Sequence, residues 1–230
     1  MKDKLKKSKS DIDWHPKYFW IFAVIFVVVY VIDMILVPKV FVFHGITMTA
    51  GILLFPIVCI LGDIITEVYG FNNARKVIWL GFCANILLML STQLAMFLPQ
   101  SLNPDIDKAF VDLFSLTPRL VFASISAYLV GGFVNAYVVS VMKVKQKGEW
   151  FGIRAVLSTV AGQFVDSIIV VVIAFSGVLP LANLLSLMFF AWVIKVLYEI
   201  IVLPVTIKIV AYIKKKEGVE HFDLSGISIV

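Results

Sequence analysis

Charge is what this sequence has least of: only 15% of its 230 residues are Asp, Glu, Lys or Arg. A soluble domain carries roughly 25%, so an ordinary water-facing surface is excluded for most of the chain. Cysteine is scarce as well. Cys59 and Cys83 both lie in apolar runs, where thiols behave as small hydrophobes, and their spacing offers neither a disulfide framework nor a metal site. The histidines, His15, His44 and His221, fall outside the candidate spans, which removes a His–carboxylate metal cluster from the apolar interior. G-x-S-x-G, H-E-x-x-H and a P-loop are missing, and with them the common signatures of serine hydrolases, zinc peptidases and nucleotide hydrolases. No repeated pore loop argues for an ion channel. The expectation is a non-enzyme without catalytic residues, metal or cofactor.

What the chain has in excess is oil. Apolar residues make up 61% and the mean hydropathy is +1.00, against roughly 45–50% apolar in soluble domains. The fold class expected is an all-α integral membrane protein. A span needs about 20 apolar residues, and that length yields six candidates: 18–37, 47–68, 76–98, 119–142, 154–177 and 184–212. The polar segment 99–118 is predicted to hold a short amphipathic helix at the membrane surface, with Phe110, Leu113 and Phe114 on its apolar side. The domain layout is a basic tail over 1–17, a six-helix membrane domain over 18–212 and a second tail over 213–230. "MKDKLKKSKS" precedes an apolar run without an A-x-A-like site, which reads as a retained first span and not a removed signal peptide.

Basic residues orient these spans. Of the 20 Lys and Arg, 16 fall on one side, in residues 2–17, at Arg75 and Lys76, around 143–154 and around 208–216. The other side has Lys39, Lys108 and Arg119, and Lys195 lies within a span. The positive-inside rule then makes both termini cytoplasmic. Trp14, Tyr18, Trp20, Tyr69, Trp79 and Trp150 cluster near the same ends, as an interfacial belt would. The pI near 9.1 is thus a topology signal and not nucleic-acid affinity, since the cations are strung along span ends and do not form one stripe. Six spans also allow two inverted halves of three, with spans 2 and 5 in correspondence through Gly62-Asp63 and Gly162 to Asp166.

Ionisable groups inside spans cost at least about 2.5–3.5 kcal/mol each on insertion scales, so they line cavities or pair. Here they are Asp33, Asp63, Glu67, Asp166, Lys195 and Glu199. In "LGDIITEVYG", Asp63 and Glu67 share a helix face with Thr66 beside them. Pro56 is expected to bend that span and free the carbonyl of Ile52. Gln163 and Asp166 are three apart and point near one direction, and Lys195 sits at a depth where it compensates Asp166. Asp33, Glu67 and Glu199 are candidates for gating or proton coupling, with Glu67 close in sequence to Arg75. A cavity offering Asp63, Gln163, Asp166, Asn85 and Asn135, with Trp192 and Tyr198 nearby, suits a flat ring rich in hydrogen-bond donors. A sugar would also satisfy these groups.

The run "FPIVCILGDIITEVYGFNNARKVIWLGF" resembles the signature of the queuosine precursor transporter family, also called the vitamin uptake transporter family. Phe55-Pro56, Asp63, Thr66, Gly70 and Ala74-Arg75 carry the likeness, joined by "STVAGQFVDSIIVVVIAF" with Ser158, Gly162 and Asp166, and by "KVLYEIIVLP" with Lys195 and Pro204. The similarity covers most of 18–212. It implies import of the 7-deazaguanine bases preQ0 and preQ1, with queuine as an alternative cargo, across the cytoplasmic (inner) membrane for tRNA queuosine salvage. Substrate contacts would come from Asp63, Thr66, Gln163, Asp166, Lys195, Trp192 and Asn85. Glu67 departs from members with a basic residue there. The expected partners are a small heteroaromatic solute and the lipid bilayer, with a homodimer left open and nucleic acid excluded. Two other readings stand beside this one: the substrate-binding subunit of an energy-coupling vitamin transporter, and a membrane scaffold whose charges only pair helices.

Overall fold

The computed structural model describes residues 16–36, 39–43, 46–99, 103–114, 118–177 and 180–218. Trp14, His15, His44 and His221, with most of the N-terminal tail and the end of the C-terminal one, lie outside the described residues. In chain order the described residues form α1 (Phe19–Leu36), β1 (Val40–Phe43), β2 (Ile46–Thr49), a 3-10 turn (Ala50–Leu53), α2 (Phe55–Tyr69), α3 (Phe71–Met96), α4 (Pro104–Phe114), α5 (Pro118–Lys145), α6 (Phe151–Phe175) and α7 (Leu181–Glu217).

Among the described residues, five helical stretches are long and apolar enough to cross a bilayer: Phe19–Leu36, Phe71–Met96, Phe122–Lys145, Phe151–Ala174 and Leu184–Glu217. They coincide with five of the six expected spans. On α1 the inward stripe is Phe19, Ala23, Phe26 and Tyr30, while Trp20, Val24 and Val28 on the other face stay exposed. In a membrane chain that outer face meets lipid, so its exposure carries no hydrophobic penalty.

The second expected span, 47–68, is corrected. Its first residues form β2, paired antiparallel with β1 in the register Val40↔Thr49 to Phe43↔Ile46. Ala50 N–H donates to Lys39 O at 2.7 Å and closes the base of this hairpin. Only then does α2 begin, and its 15 residues span about 22 Å at 1.5 Å each, short of the roughly 30 Å hydrocarbon core. The physical reason is in the side chains: "VFVF" and "ITMT" are rich in β-branched and aromatic residues that favour strands. Pro56 is in the first turn of α2, where a missing N–H costs nothing, so it starts the helix and does not bend it. The strands also qualify the all-α expectation. α2 and α6, the expected inverted counterparts, differ in length at 15 and 25 residues.

α4 is the amphipathic helix expected between spans. It buries none of its residues, and Phe110 and Phe114 contact each other with centroids 4.8 Å apart. The apolar core gathers at the end where α1 begins and α2 finishes, with Ile64, Ile65 and Val68 of α2 against Phe19, Val77, Ala136 and Val210. Gly70, at φ 82°, is the single residue joining α2 to α3. That left-handed backbone suits glycine.

α5 and α6 cross through a pair of glycines. A Cβ on Gly131 would meet Gly162 O at 3.0 Å and Asp166 Cβ at 3.0 Å. One on Gly162 would meet Gly131 O at 2.9 Å and Asn135 Cβ at 3.0 Å. Two glycines at one crossing let the backbones touch, and they bring Asn135 and Asp166 to the same interior space.

Candidate functional site

A cavity of about 220 Å³ lies among α1, α2, α3, α5, α6 and α7. Helical periodicity builds its walls. Cys59, Asp63 and Thr66 recur on one face of α2, Thr159, Gln163 and Asp166 on one face of α6, and Ser124, Tyr128 and Asn135 on one face of α5. α1 adds Tyr30 and Asp33, and α7 adds Lys195.

Two polar clusters mark the cavity. At one, Asn135 Nδ2 donates to Asp63 Oδ1 at 3.3 Å. At the other, Lys195 Nζ and Asp166 Oδ2 are 2.5 Å apart, with side chains 30% and 16% exposed. Lys195 Nζ also lies 5.4 Å from the centre of the Phe55 ring, within cation–π range. Asp33 lines the same space.

Several acceptors in this wall have no protein donor among the described residues: Asp63 Oδ2, Asn135 Oδ1, Gln163 Oε1 and Asp33 Oδ1. Buried oxygens without partners cost free energy, and here they all belong to residues lining one hollow. An aromatic wall stands beside them. The rings of Tyr30 and Tyr128 stack at 3.9 Å and 20°, and Tyr128 Oη donates to Ile78 O at 3.2 Å.

Of the substrate contacts expected from sequence, the fold brings together Asp63, Thr66, Gln163, Asp166 and Lys195. Thr66 Oγ1 donates to Gly62 O of its own helix at 2.8 Å, so its hydroxyl proton is already used. Trp192 and Asn85 lie elsewhere. Trp192 Nε1 donates to Val160 O at 3.0 Å and its ring packs edge-on to Phe164 and Phe189. Asn85 is buried and donates to Gly81 O of its own helix at 3.0 Å. Tyr198 is not among the lining residues either. The aromatic lining comes instead from Tyr30, Tyr128, Phe26 and Phe55. Tyr30 is one turn before Asp33, a spacing that could have flagged it.

Glu67 lies outside the cavity, and its partner is not Arg75. Arg154 grips it with Nε to Oε2 at 2.8 Å and Nη2 to Oε1 at 2.5 Å. Lys214 Nζ approaches Oε1 at 2.6 Å, and Lys143 Nζ donates to the Glu67 backbone carbonyl at 2.5 Å. A second knot is nearby: Glu217 accepts from Lys17 N at 3.1 Å, Tyr18 N at 2.9 Å and Tyr69 Oη at 2.8 Å. Together they tie the start of α1, the end of α2, the α5–α6 turn and the end of α7 across the basic end of the bundle. Glu199 is buried on α7, and no N–H or O–H donor reaches either of its oxygens among the described residues.

Residues 49–209 match the family described as "Putative vitamin uptake transporter". A protein of Bacillus subtilis (strain 168) named "Probable queuosine precursor transporter" is 27% identical over 162 residues, covering 70% of each chain. No solved structure matches. The family match takes in α2 through most of α7, so it includes the cavity wall apart from its α1 residues Phe26, Tyr30, Asp33 and Met34, and both carboxylates of "LGDIITEVYG". The chain therefore belongs to the vitamin uptake transporter family, as a membrane transporter and not an enzyme.

Proposed function

We propose that the protein imports queuosine precursors, the 7-deazaguanine bases preQ0 and preQ1 with queuine as a further cargo, across the cytoplasmic (inner) membrane. The bases then feed salvage into tRNA queuosine. The observation that carries this reading is the set of buried acceptors without donors, Asp63 Oδ2, Asn135 Oδ1 and Gln163 Oε1, in one cavity. A guanine-like ring edge presents adjacent N–H donors, which a carboxylate accepts in bidentate fashion. Tyr128, stacked on Tyr30, gives the cavity an aromatic wall against which the ring can pack. Asp33 and Asp166 line the same space, and Asp33, whose Oδ1 has no donor among the described residues, is a carboxylate suited to the cationic aminomethyl group of preQ1. At about 220 Å³ the hollow is below the roughly 300–1,000 Å³ of drug-sized pockets, in keeping with a small bicyclic base. The name of the Bacillus subtilis relative points the same way.

In this reading the basic end of the bundle faces the cytoplasm, with both termini there, and the Glu67 and Glu217 knots close the inner exit. The test is genetic. A strain unable to make preQ0 and lacking its own importer is given this gene and fed preQ1. Queuosine should return to its tRNA. If the protein is in the membrane and queuosine does not return, the substrate assignment is wrong.

A further inference from the structure

Tyr128 lines the cavity from α5, and the residue that lets it stand there is Gly81 of α3, which is not itself part of the lining. The phenol of Tyr128 reaches across to α3, where its Oη donates to Ile78 O at 3.2 Å. Gly81 is buried one turn further along the same face. A Cβ there would meet Tyr128 Oη at 2.5 Å, Tyr128 Cζ at 3.3 Å and Tyr30 Cδ1 at 3.3 Å. Both rings of the stacked pair therefore rest against the bare backbone of α3 at this position. Asn85, one turn beyond, donates its amide to Gly81 O at 3.0 Å, so it belongs to the helix face behind the tyrosines. The backbone of Gly81 is ordinary right-handed helix, where alanine is the better helix former. Conformational freedom is not what the glycine supplies.

The contact an alanine would make differs in kind from the one at the α5–α6 crossing. At Gly131 and Gly162 the opposing atoms include a backbone oxygen, and two helices would have to part. At Gly81 the nearest atom is the tip of a side chain, which can swing about its own torsions. Relief at Gly81 therefore leaves the helices in place and moves the phenol. Tyr128 has α3 at its tip and Tyr30 against one face at 3.9 Å. The open space beside it is the cavity.

We propose that Gly81 is a positioning residue for the cargo: by leaving room on α3 for the Tyr128 hydroxyl, it holds the aromatic wall back and sets the width open to a flat base. The proposal rests on the reading of the cavity as a site for such a base. With a methyl group at position 81, the phenol gives up Ile78 O and moves into the space the base needs. Affinity is then lost with little loss of stability. When Tyr128 Oη is removed as well, the closest obstruction is gone and the ring returns near its place, with only the two 3.3 Å contacts left to relax.

The experiment is a double-mutant cycle on the purified full chain in detergent micelles, with preQ1 titrated against the wild type, Gly81→Ala, Tyr128→Phe and the double variant. Gly81→Ala should bind preQ1 about tenfold or more weakly than the wild type, since lost stacking alone accounts for roughly 2- to 13-fold and the room for the ring shrinks too. Its melting temperature without ligand should stay within a few degrees of the wild type. Tyr128→Phe sets its own baseline, and adding Gly81→Ala to it should cost less than about threefold further. Equal losses in the two backgrounds overturn the proposal. So does wild-type affinity in Gly81→Ala. A Gly81→Ala chain that fails to accumulate, or melts far below the wild type, also overturns it, because the glycine then serves helix packing and not the wall. A wild type that binds neither preQ1 nor preQ0 sinks the base assignment, and the positioning role falls with it. A wild type that binds, beside a cycle without coupling, sinks the positioning role alone.

Discussion

Arg154 and Glu67, 87 residues apart in sequence, form a two-pronged ion pair with both side chains fully sequestered from solvent. The same guanidinium also bonds Gln146 Oε1 at 3.2 Å, Gly148 O at 3.1 Å and Glu149 O. One side chain thus fixes the end of α2 to the α5–α6 turn. Replacing Arg154 with Ala leaves a buried carboxylate against fewer cations and several carbonyls without donors. Breaking a buried pair costs about 3–5 kcal/mol, so Arg154→Ala should lower the detergent melting temperature by well over about 5 °C or prevent accumulation in the membrane. Arg154→Lys keeps the charge but not the planar fork and should fall between. Wild-type melting of Arg154→Ala would show that the pair contributes no stability.

The outcome at Glu67 illustrates what is legible in the sequence. Its place in an apolar run marks it as needing a partner, and Arg75 is near in sequence; the true partners come from α5, α6 and α7, which only tertiary packing reveals. Asp33, Asp63, Gln163, Asp166 and Lys195 are legible because a polar group in a span has few reasons to be there. Tyr128 is not, since aromatic residues are ordinary in spans and nothing local separates a cavity wall from a packed core; for Tyr30 the one local signal is its place a turn before Asp33. Trp192 has the right depth but the wrong azimuth. The hairpin is hidden for a related reason. Average hydropathy counts apolar residues without regard to conformation, so "VFVF" and "ITMT" look like oil-soluble helix until their β-branched content and Pro56 are read together.

The glycine crossing makes a separable stability prediction. Gly131→Ala and Gly162→Ala each drive a Cβ to within about 3.0 Å of a backbone oxygen on the other helix, a contact backbone cannot easily relieve. The helices must part, at a cost of roughly 1–3 kcal/mol as for other overpacked sites. Gly132→Ala is the contrast: the nearest atoms its Cβ would meet are Ile78 side-chain atoms at 3.6–3.8 Å, ordinary van der Waals contact. Helix propensity favours alanine there by up to about 1 kcal/mol, so that variant should melt at or above the wild-type temperature. Equal loss in all three would mean that the close crossing is not what these glycines provide.

Lys195 and Asp166 differ from the Glu67 knot in being partly open to the cavity, at 30% and 16% exposure. Water screens such a pair, and its contribution to folding falls toward the roughly 0–1 kcal/mol of exposed pairs. Asp166→Asn should therefore fold with a melting temperature within a few degrees of wild type, yet lose at least tenfold in preQ1 uptake. A variant that both folds and transports normally would remove Asp166 from the site.

Orientation is testable with thiol labelling in a background where Cys59 and Cys83 are replaced by Ser. Asp105 on α4 and Lys215 near the end of α7 are both exposed. Asp105→Cys should react with an impermeant maleimide added to intact cells, and Lys215→Cys only after the membrane is opened. Reaction at 215 from outside would reverse the proposed topology, in which 16 of 20 basic residues face the cytoplasm.

The aromatic residues give the sharpest division between what sequence suggests and what the fold provides. Trp192 bonds Val160 and packs on Phe164 and Phe189, away from the cavity. Tyr128 lines the cavity and stacks on Tyr30 at 3.9 Å. A ring bound beside Tyr128 gains a stacking increment of about 0.5–1.5 kcal/mol beyond area burial, which corresponds to roughly 2- to 13-fold in affinity. Tyr128→Leu should weaken preQ1 and preQ0 binding by about that factor and weaken guanine in parallel, because the ring face is common to all three. Trp192→Phe, which keeps the edge-on packing and loses one hydrogen bond outside the cavity, should leave every affinity within about twofold. Titration of preQ1 against the two purified variants decides between them. A large loss at Trp192 with none at Tyr128 would place the base on the other side of α6 and move the binding site out of this cavity.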